Sequence, residues 1–104
     1  MATPADRDTV LFPEGPLTLA TVAARYREFE PLWSGARPPG VVDLARTGRI
    51  DSAGLALLLE WQAQARRNGG ALSFRNPPAG LLRLAALCEA SEALGLEAPT
   101  EEQP

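Results

Sequence analysis

Gly40-Val41-Val42-Asp43-Leu44, a polar turn Ala45-Arg46-Thr47-Gly48-Arg49, and then Ile50-Asp51-Ser52-Ala53-Gly54-Leu55-Ala56-Leu57-Leu58-Leu59: the reading of this run decides the fold. The first piece is a near-continuous apolar stretch, the pattern of a central strand buried on both faces. After the turn, Ile50 re-enters the core and the spacing becomes helical. Leu55, Leu58, Leu59 and Gln62 share one side, which faces the sheet, while Ser52, Ala56, Glu60 and Ala63 share a neighbouring side. Asp51 or Ser52 supplies the N-cap, since both types are favoured there. The helix runs over 52–68 and stops at Gly69-Gly70. Arg66 and Arg67 fall in its last turn, where cations suit the helix dipole.

Working outward, Thr9-Val10-Leu11-Phe12 reads as a short strand that Pro13 confines to an edge or an early end. Glu14-Gly15-Pro16 is turn chemistry, and Leu17-Thr18 adds a short second strand. Thr18 caps a first helix whose Leu19, Val22, Tyr26, Phe29 and Trp33 lie on one face, and Pro31 ends or kinks it near Glu30. Its aromatics belong to core or rim. A loop over 34–40 leads to the central strand. Downstream, Ala71-Leu72-Ser73-Phe74 alternates as a third strand. Asn76-Pro77-Pro78 opens a third helix, with proline where its missing N–H does no harm. Leu81, Leu84, Ala85 and Cys88 form that helix's buried stripe, with Cys88 as core filler. Ala93-Leu94-Gly95-Leu96 is a weak final strand or turn. The order β, α, β, α, β, α defines one α/β domain over 9–96, with mostly parallel core strands and right-handed crossovers. A flexible lead-in over 1–8 and a flexible acidic tail over 97–104 flank it.

Composition narrows the chemistry. A length of 104 residues holds one core and no second. No run approaches the roughly 20 apolar residues of a membrane span, and the start of the chain lacks the basic and apolar stretches of a signal peptide. A cytoplasmic domain without direct membrane insertion is expected. The single cysteine excludes an internal disulfide. With no histidine, neither a triad, a His relay nor a typical zinc site is available, and no metal or cofactor is expected. All basic residues are arginines, scattered and outnumbered 10 to 13 by acids, which argues against nucleic acid as partner.

The one chemical feature left is the hydroxyl of Ser52 at a helix start, with an acid before it and small residues after it. Accessible backbone N–H groups and small side chains let another chain approach closely. Phosphorylation adds roughly −1.5 to −2 charge, which a helix N-terminus stabilises by about 0.3–1 kcal/mol at an exposed site. Asp51 opposes it. A docked partner feels the dianion more, because the interface desolvates it. Hydrolysis by an acid-plus-serine pair fails for want of a base to activate the hydroxyl, and no catalytic residue is assigned. Gly69-Gly70 end a helix and so form no phosphate cradle.

The four pieces Val41-Val42-Asp43-Leu44, Ile50-Asp51-Ser52-Ala53-Gly54-Leu55, Asn68-Gly69-Gly70 and Asn76-Pro77-Pro78 with Leu81-Leu82-Arg83-Leu84 occur in an order and spacing that resemble the STAS domain family. Within it, Asp51 to Gln62, Asn76-Pro77-Pro78 and Leu84-Ala85-Ala86-Leu87-Cys88 are most similar to the small STAS subunit of Mla phospholipid transport systems. That resemblance implies a non-catalytic cytoplasmic adaptor, peripheral to the inner membrane. It would bind and support the ATPase of an ABC transporter that maintains outer-membrane lipid asymmetry. Consistent with that, no Walker-type Gly-Lys-Ser/Thr loop exists, since the chain has no lysine. The alternative implied by the family is an anti-sigma factor antagonist, whose serine, at Ser52 here, is phosphorylated by a kinase-type anti-sigma factor. Little sequence after Leu96 for a last helix and the wording Leu58 to Gln64 favour the transporter group. The expected partner face comprises Arg49, Asp51, Ser52, Ala53, Ala56 and Glu60, bordered by Asn76, Pro77 and Pro78. Ser52 is also the expected regulatory phosphoacceptor.

Overall fold

The computed structural model describes residues 6–35 and 38–96. The elements are β1 (Asp6–Leu11), α1 (Val22–Trp33), β2 (Pro39–Asp43), α2 (Ser52–Arg67), β3 (Ser73–Arg75), α3 (Ala79–Leu87) and α4 (Ser91–Leu94). The strands form one sheet in the order β1-β2-β3, and every pairing is parallel. β2 is the central strand and is buried along its whole length, as its apolar run requires. A single parallel bridge, Leu17 to Ile50, stands in place of the expected second strand.

α1 and α2 pack on one another and run in the same direction. Val22 and Ala23 of α1 lie across from Ala53 and Ala56 of α2. At the other end, the Asn68 amide donates to the Trp33 carbonyl (3.0 Å). Between the helices, Trp61 meets Trp33 (centroids 5.5 Å) and the edge of Phe29 (5.6 Å). These rings join Leu11, Val42, Leu44, Leu55, Leu58 and Leu81 in the core. Gln62 is the buried polar member. Its amide donates to the carbonyls of Leu72 (3.1 Å) and Ala93 (3.2 Å), and its oxygen accepts from Leu72 N–H (2.7 Å). All its polar atoms are satisfied, as burial demands.

Several expectations are revised. β1 starts at Asp6 rather than Thr9, so it takes in the end of the expected lead-in; residues 1–5 and the expected tail over 97–104 lie outside the described residues. α1 begins at Val22, not beside Thr18. Thr21 hydroxyl accepts from Thr18 N–H (2.9 Å) and donates to Pro16 carbonyl (2.7 Å), which closes a turn before the helix can start. Leu19 therefore lies outside α1 and is 79% exposed instead of core. Pro31 sits inside α1, which continues to Trp33. One N–H is lost in the last turn, a small cost beside the burial of Trp33. Cys88 is exposed, because α3 stops at Leu87 and Glu89 adopts a left-handed backbone (φ 56°) that turns the chain away. Residues 91–94 form a helix rather than a strand, ended by Gly95 (φ 68°). Gly69 (φ 88°) and Gly70 close α2 as expected, with Gly70 N–H donating back to the Ala65 carbonyl (3.0 Å).

Candidate functional site: the paired start of α1 and α2

The turn after β2 delivers the chain to the start of α2. Asp51, not Ser52, is the N-cap: its backbone is extended (φ −100°, ψ −169°) and its Oδ1 accepts from Gly54 N–H (3.0 Å). Its Oδ2 accepts from Leu19 N–H (3.1 Å), a residue 32 positions earlier. One carboxylate thus fastens the turn ahead of α1 to the start of α2. These backbone amides, Gly54 first and Leu19 second, hold the Asp51 carboxyl below its ordinary value, with help from the positive charge of Arg49.

Gly54 permits this closeness. A Cβ there would stand 2.1 Å from the Leu17 carbonyl oxygen and 2.8 Å from the Ile50 side chain. Asp51 N–H in turn donates to that same Leu17 carbonyl (3.2 Å). Ser52 follows as the first residue of α2 and is exposed, as are Arg49 and Ala56.

Beside it, between α1 and α2, lies an open hollow of about 290 Å³ lined by Val22, Ala23, Tyr26, Ala53, Ala56, Leu57 and Glu60. Three expected residues, Ala53, Ala56 and Glu60, are brought together here. Sequence reasoning missed the other wall. Val22 and Tyr26 were assigned to the core stripe of the first helix, but they are only half-buried and turn one flank to the hollow. The signal was available in Ala23-Ala24, small residues beside Val22 on the flank of the stripe. Farther along the seam, Glu60 accepts from Gln64 (3.1 Å) and Arg67 (3.3 Å) at the edge of a polar hollow that also touches Glu30, Trp33 and Asn68.

The loop expected to border this face is anchored at the end of β2. Asn76 has a left-handed backbone (φ 54°) and its amide donates to both carboxylate oxygens of Asp43, at 3.1 and 3.2 Å. Asp43 Oδ1 also accepts from Ala45 N–H (2.9 Å). The Asn76 amide, followed by the Ala45 N–H, lowers the Asp43 carboxyl below its ordinary value. Asn76, Pro77 and Pro78 contribute nothing to the lining of the α1–α2 hollow. Among the described residues, no group of three or more His, Cys, Asp or Glu side chains is arranged to hold a metal, and no helix is long and apolar enough to cross a membrane.

Fold and site together define a class: a small parallel α/β domain with an exposed residue at the start of its second helix. The chain matches the family model described as "Mlab, STAS domain" over residues 2–96, and it belongs to the STAS domain family. A comparison with curated proteins finds no match. STAS domains are protein-interaction modules and are generally non-catalytic.

Proposed function

We propose that this chain is a non-catalytic adaptor subunit that docks on the ATPase of a phospholipid ABC transporter through the Ser52 end of the α1–α2 seam. The observation that carries the reading is the exposed Ser52 next to the hollow walled by Ala53 and Ala56. The name in the matched family description favours the transporter branch, as do the residues from Asp51 to Gln62. On this reading the protein works in the cytoplasm and reaches the inner membrane only through its complex. It supports the ATPase and hydrolyses nothing itself.

The second reading, an anti-sigma factor antagonist switched at Ser52, draws on the same exposed hydroxyl. Asp51 already occupies the Gly54 amide, so a phosphate on Ser52 meets a negative neighbour and a helix end whose donors are partly taken. The added charge is therefore felt mainly by whatever sits on this face.

Titration of the purified protein with the nucleotide-binding subunit of the phospholipid ABC transporter of the same cell tests the proposal. Ala56→Arg should abolish the complex and leave the melting temperature unchanged. Ser52→Glu should weaken it more than Ser52→Ala. Wild-type affinity of Ala56→Arg refutes the placement, and binding to a kinase-type anti-sigma factor instead of the ATPase transfers the role to signalling.

A further inference from the structure

Seven of the nine residues of α3 are leucine or alanine, yet only Leu81 and Ala85 are buried. Leu82 and Leu84 reach the core in part. The opposite face carries Ala79, Arg83, Ala86 and Leu87, neighbours at helical spacings of three and four, and all of them are exposed. Leu87 is 81% exposed, the highest value of any large apolar side chain among the described residues. None of these residues lines the hollows along the α1–α2 seam, so this face is separate from the Ser52 surface.

The end of the helix adds a second observation. α3 closes with Glu89 N–H donating to the Ala86 carbonyl (3.2 Å) and Ala90 N–H to the Ala85 carbonyl (2.7 Å). That closure puts Glu89 at φ 56°, in the left-handed region that glycine enters without steric cost. Gly69 and Gly95 take this conformation at the ends of α2 and α4. At the end of α3 the chain keeps a charged side chain there instead. Glu89 is exposed, and among the described residues neither it nor Arg83 has an ion-pair partner.

Arg83 and Glu89 stand three residues either side of Ala86. A two-fold axis through Ala86, perpendicular to α3, turns this arrangement onto itself. In the resulting antiparallel pair each Arg83 faces Glu89 of the other copy, both about 4.5 Å along the helix from the axis at a rise of 1.5 Å per residue. Ala86 at the crossing lets the backbones approach, and each Leu87 is covered by the helix opposite. A parallel pair would set Arg83 against Arg83 and Glu89 against Glu89. The charge spacing is self-complementary, which singles out a second copy of the chain as the occupant.

We infer that the exposed face of α3 is a self-association surface, on which two copies of this chain pair antiparallel about Ala86 through Leu87 and reciprocal Arg83–Glu89 bridges. A helix of nine residues offers little area. The pairing therefore belongs with weak interfaces, below about 1,200 Å² of total buried surface, and fills as concentration rises. It goes beyond the proposed function and does not depend on it.

Sedimentation equilibrium of the full chain, from roughly 10 µM to 1 mM, tests it. The weight-average mass should climb from that of the monomer toward twice that value. Leu87→Asp should hold it at the monomer, with an unchanged melting temperature. Arg83→Glu and Glu89→Arg should each weaken association by about tenfold or more, because each turns both bridges into repulsion. The double variant Arg83→Glu, Glu89→Arg should recover it. Glu89→Gly should raise the melting temperature and still weaken association, which separates the backbone cost at this position from the use of its side chain. A wild type that stays monomeric at the highest concentration overturns the inference. So does association that survives Leu87→Asp, or a double variant as weak as its parents. Leu87 methyl resonances that shift only on addition of the transporter's nucleotide-binding subunit would give the face to that protein and overturn self-association.

Discussion

Asp43 and Asp51 do the same chemistry at two ends of one turn, with opposite results. Each carboxylate accepts from a backbone N–H nearby and from a donor more than thirty residues away in sequence: Asn76 for Asp43, Leu19 for Asp51. Asp43 is buried at the end of β2, and what it ties down is the loop after β3. Asp51 is half-exposed, and what it ties down is a turn that displays a bare leucine. The first linkage closes the fold, and the second shapes a surface. The bond geometry does not separate the two roles. The burial of the carboxylate itself does: Asp43 is buried and Asp51 half-exposed.

The largest blow to the outward-facing region is Gly54→Ala. The new methyl would collide with the Leu17 carbonyl oxygen, a backbone atom that cannot swing aside. A loss of about 3 kcal/mol or more is expected in urea denaturation. Gly80→Ala in α3 is the matched control: its Cβ would meet nothing, and helix propensity should add up to about 1 kcal/mol.

Asp43→Ala should come next. It strands the Asn76 amide and the Ala45 N–H, so the melting temperature should fall while affinity at the α1–α2 seam is retained. Ser52→Ala should do the reverse, sparing the melting temperature. If Asp43→Ala weakened partner binding as strongly as it lowered stability, the separation of the two regions would fail.

The smallest effect is on pH dependence. Both carboxyls are held below the ordinary value of 3.8 by hydrogen bonds to amides. A carboxyl with a depressed folded pKa contributes fully above its unfolded value and loses that contribution as pH falls through the folded one. Stability should therefore drain below pH 3.8, toward the lowered values. The double variant Asp43→Asn, Asp51→Asn should show a flatter acid limb in thermal melts between that pH and strong acid. An identical limb would mean that other carboxylates control acid unfolding.

Where the determinants are local, the chain can be read directly. α2 is legible from the helical return of leucines and the Gly69-Gly70 stop, and β2 from its unbroken apolar run. The Ser52 position and the Ala53, Ala56, Glu60 wall follow from the same helix. Errors gather where distant partners decide. Leu19 has the right spacing for the face of α1, but the Thr21 hydroxyl closes the preceding turn and Asp51 takes its amide. Cys88 continues the 81, 84, 85 stripe on paper, yet the helix ends one residue before it. The bond between exposed Asn76 and Asp43, 33 positions back, likewise lies outside any local pattern. No periodicity in either segment encodes those pairings.

The Gln62 amide has a consequence for how α2 meets other molecules. It grips Leu72 through both of its ends and reaches Ala93 besides. A helix pinned this way at mid-length resists sliding along its own axis. A protein docking on α2 would meet a preformed surface.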